Sequence, residues 1–280
     1  PSSEGRGGYK FVSLSTAGKH IVLLIPGLEG PQTDHPVADY LERRPASLDR
    51  LISRSRPEAF AGYDVDSVLL HTFGLDIASP VAPLTYATDT GKTPTGYVMR
   101  ADPVHLRADQ SCLRLFESHS FSITQDEANA LADSFNEFYA EQSWHLEAPT
   151  THRWYLELDE QPDISTTPLA TVAGRDINPS LPHGGAARDW LAMLNEVQML
   201  FHAHDVNLAR EQRGQPTINR RWPRGGGVMP GAPGTGIDCV MASDPLALAL
   251  AGMAGITTAD VPVDADQLLS QDGGGVILAV

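Results

Sequence analysis

His20-Ile21-Val22-Leu23-Leu24-Ile25, cut off by Pro26-Gly27, is the stretch on which the fold turns. After His20, every side chain up to the proline is apolar, so a strand here has no wet face. Such a strand belongs to a parallel sheet with both faces covered. The same texture returns at residues 239–242 and at Val276-Ile277-Leu278-Ala279-Val280, with a helix expected over 245–254. The first and last of these strands are predicted to share one sheet. Helices are expected over 45–55, from Leu48, Leu51 and Ile52, and over 65–73, closed by Gly74. The fold class that follows is α/β with a largely parallel sheet, built from residues 20–95 and 188–280. Residues 1–19, rich in Gly and Ser, are expected to be a flexible tail.

The texture changes near Gly96. Short strands are predicted over 97–100, 112–116 and 154–158. Thr124-Gln125-Asp126-Glu127 is a capping box that opens a helix to about Tyr139. Residues 96–187 therefore read as an inserted α+β lobe. The stretch 76–94, with three prolines and several Thr and Ser, reads as irregular. After it come helices over 188–202, with Leu191, Leu194, Val197, Gln198 and Phe201 near one face, and over 208–213.

The chain has 280 residues, with Lys plus Arg 20 against Asp plus Glu 35, a formal charge of -15. An acidic protein of this kind repels a phosphate backbone, which argues against nucleic acid as a partner. The two cysteines, Cys112 and Cys239, rule out a thiolate zinc site and a disulfide scaffold. The best apolar run, 247–256, is about half a membrane span, so no membrane partner is expected. A cytoplasmic protein is the expectation.

Against this acidic background the segment 205–224 stands out. Five Arg (210, 213, 220, 221, 224) face Asp205 and Glu211, a local balance of +3. Arginine forks beside Gly225-Gly226-Gly227 suit a phosphate or carboxylate. The candidate ligand-binding set is Arg210, Asn219, Arg221, Arg224, Gly225, Gly226 and Gly227, with Trp222 able to pack on a guanidinium plane. A surface turn with solvated arginines is the competing reading. The run is neither a P-loop nor a dinucleotide fingerprint. Arg43, Arg44, Arg50, Arg54 and Arg56 read as the wet face of a helix. Arg100-Ala101-Asp102-Pro103-Val104-His105-Leu106-Arg107 could position a substrate or hold a salt-bridged turn, the latter preferred. His202 and His204 stand two apart and cannot share a metal on a helix; His204 is expected to orient the turn before Asn207. No Gly-x-Ser-x-Gly elbow occurs.

Arg100 to Leu106, Arg153-Trp154-Tyr155-Leu156, Leu194-Asn195-Glu196-Val197-Gln198, and Asn207-x-x-Arg210 on through Asn219 and Trp222 to Gly227 resemble the bacterial RpfE-type regulatory protein family. That family is similar to the archaeal-type cofactor-independent phosphoglycerate mutases of the alkaline phosphatase superfamily. The resemblance implies a three-layer, alkaline-phosphatase-like core with an inserted lobe. It also implies supporting roles for Arg100, Asp102, His105, Arg153, His204, Asn207 and Trp222. The mutases place a metal-binding Asp just after the first strand, where this chain has Pro26-Gly27-Leu28. A nucleophilic serine with a following carboxylate is expected after the early helices, and Ser79 before Pro80 carries no such motif. A serine nucleophile needs metal charge to stabilise its alkoxide. The implied function is therefore a phosphoglycerate-mutase-like protein with a degenerate active site and a regulatory role, binding a small anionic metabolite that is phosphorylated or carboxylated. No catalytic residue, metal ligand or cofactor is assigned. One alternative is an active metal-dependent mutase or phosphatase using Glu29, Asp34 and His35 and a divalent metal. The other is an interaction module without a small ligand, whose arginines contact an acidic protein partner.

Overall fold

The computed structural model describes residues 9–16, 19–25, 50, 53–54, 56–60, 64–109, 112–264, 267 and 276–280. The chain divides into two compact units, Pro1–Ser79 with Gly231–Val280, and Pro80–Pro230.

The first unit holds a mixed sheet. Strand β1 (Tyr9–Thr16) pairs antiparallel with β2 (Lys19–Leu24) and with β3 (Arg56–Phe60). The other side of β2 is parallel, as its apolar run predicts. It pairs with β11 (Val276–Ala279), placing Ile277 beside Ile21 and Leu278 beside Val22. β11 pairs parallel with β9 (Ile237–Met241), which pairs parallel with the edge strand β10 (Thr257–Ala259). Residues 9–16 thus correct the expected tail: they form a strand held between β2 and β3. The helix expected over 45–55 and the alternative ligands Glu29, Asp34 and His35 lie largely or wholly outside the described residues.

Helix α1 (Val65–Thr72) starts where the Asp64 carboxylate accepts from the Ser67 amide at 2.8 Å. Gly74 follows with φ +73°, and a Cβ there would meet the Gly234 carbonyl oxygen at 2.3 Å. Only glycine fits. Helix α7 (Pro245–Ala254) is capped by Asp244, begins with proline in its first turn and ends at Gly255 with φ 67°.

In the second unit, the 13-residue strand β4 (Tyr97–Asp109) organises everything else. It pairs antiparallel with β5 (Cys112–Glu117), with β7 (Tyr155–Leu158) and with β8 (Arg220–Gly227), while β6 (His145–Glu147) extends the sheet beyond β7. Two helices cover one apolar layer: α3 (Gln125–Phe138), opened by the expected capping box, and α5 (Ala187–His202). Leu131, Phe135, Met193, Leu194, Val197 and Phe201 pack there with Met99, Ala101 and Leu156. The buried stripe of α5 runs through Trp190 and Met193, while Leu191 and Gln198 are half-buried. A second layer joins Val104, Leu106, Leu115 and Trp222 to Leu169 and Val172 of the short helix α4 (Leu169–Val172). Helix α6 (Asp205–Gln212) starts three residues before its expected start, because His204 Nδ1 accepts from the Val206 amide at 3.1 Å and caps it.

Two expectations are corrected. Residues 76–94 are not wholly irregular, since α2 (Ala82–Thr90) lies within them. Pro83 sits in its first turn, where its missing N–H costs nothing, and Thr90 turns its hydroxyl back to the Tyr86 carbonyl at 2.7 Å. Residues 188–230, expected in the α/β core, belong to the second unit, because β8 pairs with β4 and α5 covers that sheet.

Candidate functional site

Strand β4 carries Arg100 and Asp102, two apart and hence on one face. Both are buried, and Arg100 bonds one carboxylate oxygen, with Nε and Nη2 at 2.8 and 2.7 Å from Asp102 Oδ1. The register of β8 brings Arg224 opposite Arg100, and Arg224 Nε donates to the other oxygen, Oδ2, at 3.0 Å. The Trp154 amide also points at Oδ1, at 3.4 Å. Two guanidinium groups thus share a single buried carboxylate.

The segment before β7 extends this cluster. His152 stacks on His119 with ring centres 4.4 Å apart, and His152 Nδ1 is buried with no hydrogen-bond partner among the described residues. Burial holds this imidazole below its ordinary pKa; the charges of His119 and Arg153 push the same way, and Asp102 opposes them. Arg153 forks onto Asp89 of α2 at 2.7 and 2.6 Å, and the Tyr155 hydroxyl donates to the same carboxylate at 2.5 Å. That hydrogen-bonded pairing raises the Arg153 pKa further. Arg100 lies over the Tyr155 ring at 5.4 Å. Arg100, Arg153 and Arg224 thus meet the carboxylates of Asp89 and Asp102.

The structure disperses the set expected at 210–227. Arg210 is 1% exposed and fully engaged: Nη1 on Glu127 at 2.7 Å, Nε on the Pro216 carbonyl at 2.7 Å and Nη2 on the Ser122 carbonyl at 2.9 Å. The Asn219 amide bridges the Leu106 N–H and carbonyl, and Asn207 does the same for the chain at Phe201 and Ile218. Trp222 donates from Nε1 to the Thr167 carbonyl at 2.8 Å. His105 Nδ1 lies 2.8 Å from the Thr217 carbonyl. Arg221 is buried over Phe135. The three glycines answer to packing: a Cβ at Gly225 would meet Val81 at 2.4 Å, at Gly226 the Tyr97 hydroxyl at 2.4 Å, and at Gly227 Pro80 at 2.4 Å. Of the seven residues, Arg224 alone reaches the Asp102 cluster, where it meets the supporting residue Arg100. The spacing of two residues in Arg100-Ala101-Asp102 was a visible signal; His119, His152 and Asp89 come from separate segments, and no spacing joins them.

The resemblance places metal ligands after the parallel strands, and residues 26–49 after β2 lie outside the described residues. Asp244, three residues past β9, spends one carboxylate oxygen on the Leu246 and Ala247 amides at 2.9 Å each. Among the described residues, His145, Glu147 and Glu157 are the only trio with ligand atoms within 4.8 Å of one another. Lys92 at 2.9 Å and the Tyr86 hydroxyl at 2.9 Å already hold Glu147, and Tyr86 also reaches Glu157 at 3.0 Å. No described helix is long and apolar enough to cross a membrane.

No protein-family model matches the chain, and no curated protein matches it. Among solved structures it is similar to the cofactor-independent phosphoglycerate mutase from Thermoplasma acidophilum DSM 1728, at 17% identity and a TM-score of 0.42, over 78% of this chain and 64% of that one. It is also similar to the PH0037 protein from Pyrococcus horikoshii, at 15% identity and a TM-score of 0.43, over 76% of this chain and 55% of that one. The chain thus spans less than two thirds of the length of either.

Proposed function

We propose that this chain is a phosphoglycerate-mutase-like protein of alkaline-phosphatase-like layering that binds a small phosphorylated or carboxylated metabolite in a regulatory role, without turning it over. The ligand site is the Asp102 cluster. The observation that carries this reading is the sharing of one buried carboxylate by Arg100 and Arg224. Guanidinium groups converging beside His152 Nδ1, which has no hydrogen-bond partner among the described residues, suit an anion. Absence of turnover follows from Pro26-Gly27-Leu28, which offers no side-chain ligand where a metal-binding Asp would stand.

Calorimetric titration with 3-phosphoglycerate and with inorganic phosphate tests the reading. Wild type is expected to bind at least one of them at sub-millimolar to millimolar concentration. A lost hydrogen bond to a charged group costs about 1.5–3 kcal/mol, so Arg224→Ala should weaken binding roughly ten- to a hundred-fold. Wild type that binds neither ligand, or Arg224→Ala that binds as wild type does, would sink it. Manganese-dependent mutase turnover would restore the enzyme reading.

A further inference from the structure

Strand β6 is an edge of the second unit's sheet, and its register with β7 sets His145 opposite Glu157 and Leu146 opposite Leu156. Alternation sends Leu146 and Leu156 into the apolar layer with α3 and α5, and turns His145, Glu147 and Glu157 to the other face. One ligand atom from each of these three lies within 4.8 Å of the other two. Helix α2 meets this face through Tyr86, which is 3% exposed. Its hydroxyl is 2.9 Å from Glu147 Oε2 and 3.0 Å from Glu157 Oε1. A hydroxyl has one hydrogen to donate, so it cannot serve both carboxylates at once. Lys92 takes Glu147 Oε1 at 2.9 Å, but its side chain is 63% exposed, and an ammonium so placed is weakly held. Two carboxylates thus converge beside an imidazole, with one buried proton donor and one loosely held cation to hold them together. Burial raises the Glu147 pKa, but the bonds from Lys92 and Tyr86 outweigh it and hold the group below its ordinary value, ready to act as an anionic ligand.

We infer that His145, Glu147 and Glu157 form a zinc site on the paired strands β6 and β7, separate from the Asp102 cluster, at which the metal displaces Lys92. Tetrahedral zinc at about 2.0–2.2 Å from each ligand sets them roughly 3.3–3.6 Å apart, so the three side chains need close by only about 1 Å. Glu147 and His145 lie toward solvent, where such a closure meets little resistance. The imidazole selects zinc over magnesium and calcium, and three protein ligands leave a fourth position for water. Tyr86 orients the carboxylates from behind, the task that a hydrogen-bonding partner of a metal ligand performs.

Calorimetric titration of the chain with zinc chloride, with cobalt(II) as a spectroscopic probe, provides the test. Wild type should bind one zinc at micromolar concentration. Cobalt should give the intense visible band of a four-coordinate ion, and zinc should remove it. His145→Ala and Glu157→Gln should each abolish that band. Tyr86→Phe should weaken zinc binding roughly 10–100-fold. Lys92→Ala should bind zinc several-fold more tightly, because the ammonium no longer competes. If Tyr86→Phe does not fold, the exposed positions His145 and Lys92 decide. Wild type that binds no zinc, a cobalt band that survives His145→Ala, or weaker binding by Lys92→Ala overturns the inference. So does competition by magnesium at equal concentration. His119→Ala must keep the band; its loss there would place the metal at the His119–His152 pair and also overturn the inference.

Discussion

At Asp102, one carboxylate bonds two arginines while only 1% of its side chain is exposed. Asp102→Asn keeps the shape and removes the charge. Breaking a buried pair from one side costs about 3–5 kcal/mol, and here it strands Arg100, whose side chain is 6% exposed. Urea denaturation should show a loss of that size, against roughly 1–2 kcal/mol for Arg224→Ala, whose side chain is 17% exposed. Equal losses would mean that the two arginines do not depend on Asp102 as described. The imidazoles give a pH dependence. Burial holds both His105 and His152 below the ordinary value. The unfolded chain therefore takes up their protons more readily than the folded one, so their contribution to stability is complete above about pH 6.5 and is lost as pH falls below it. Urea midpoints between pH 7.5 and 5 should fall with acid, and the double variant His105→Gln, His152→Gln should flatten that fall. An unchanged slope would assign the acid sensitivity to other groups.

At the scale of elements, α3 and α6 are tied through one side chain. Glu127 accepts from Arg210, and its carboxylate also accepts from the Thr124 amide at 3.0 Å to complete the capping box. Thr124→Ala removes only the cap and should cost about 1 kcal/mol. Glu127→Ala also leaves Arg210 buried and unpaired, so it should cost about 3–5 kcal/mol. A ratio near one between the two, measured in urea, would show that the cap is the whole of the effect. Strand β8 tells a similar story for its glycines. Gly226→Ala drives a methyl into the Tyr97 hydroxyl and Met99, and should destabilise by roughly 1–3 kcal/mol without any ligand present.

For the whole molecule, the second unit makes its apolar layers from its own residues, from Met99 to Trp222. Pro80–Pro230 produced alone is expected to unfold in a single cooperative transition with dispersed amide resonances. A chain that stays collapsed without fixed packing would show that this unit is not autonomous. If it folds, variants of the Asp102 cluster can be titrated in that unit alone.

The parallel pairing of β2 with β11 was legible in the sequence because an unbroken apolar run can be satisfied only by cover on both faces. The capping box of α3 was legible because its hydrogen bonds close within four residues. So was the Gly74 stop, which is also local, whereas the N-cap role of His204 was not, since the helix was expected only from residue 208. The fate of the arginines was not legible. Arg210, Arg221 and Arg224 lie within fifteen positions of one another, yet one pairs with Glu127, one is buried over Phe135 and one joins Asp102. Each partner is more than 80 residues away, so composition could locate the charge but not its counter-charge. Gly225-Gly226-Gly227 reads as a flexible loop by local propensity, and becomes a strand because it pairs with β4, where Val81, Tyr97 and Pro80 leave no room for a Cβ. Local rules decided the elements; partners far away in the chain, acting through close packing and buried charge, decided what each side chain does.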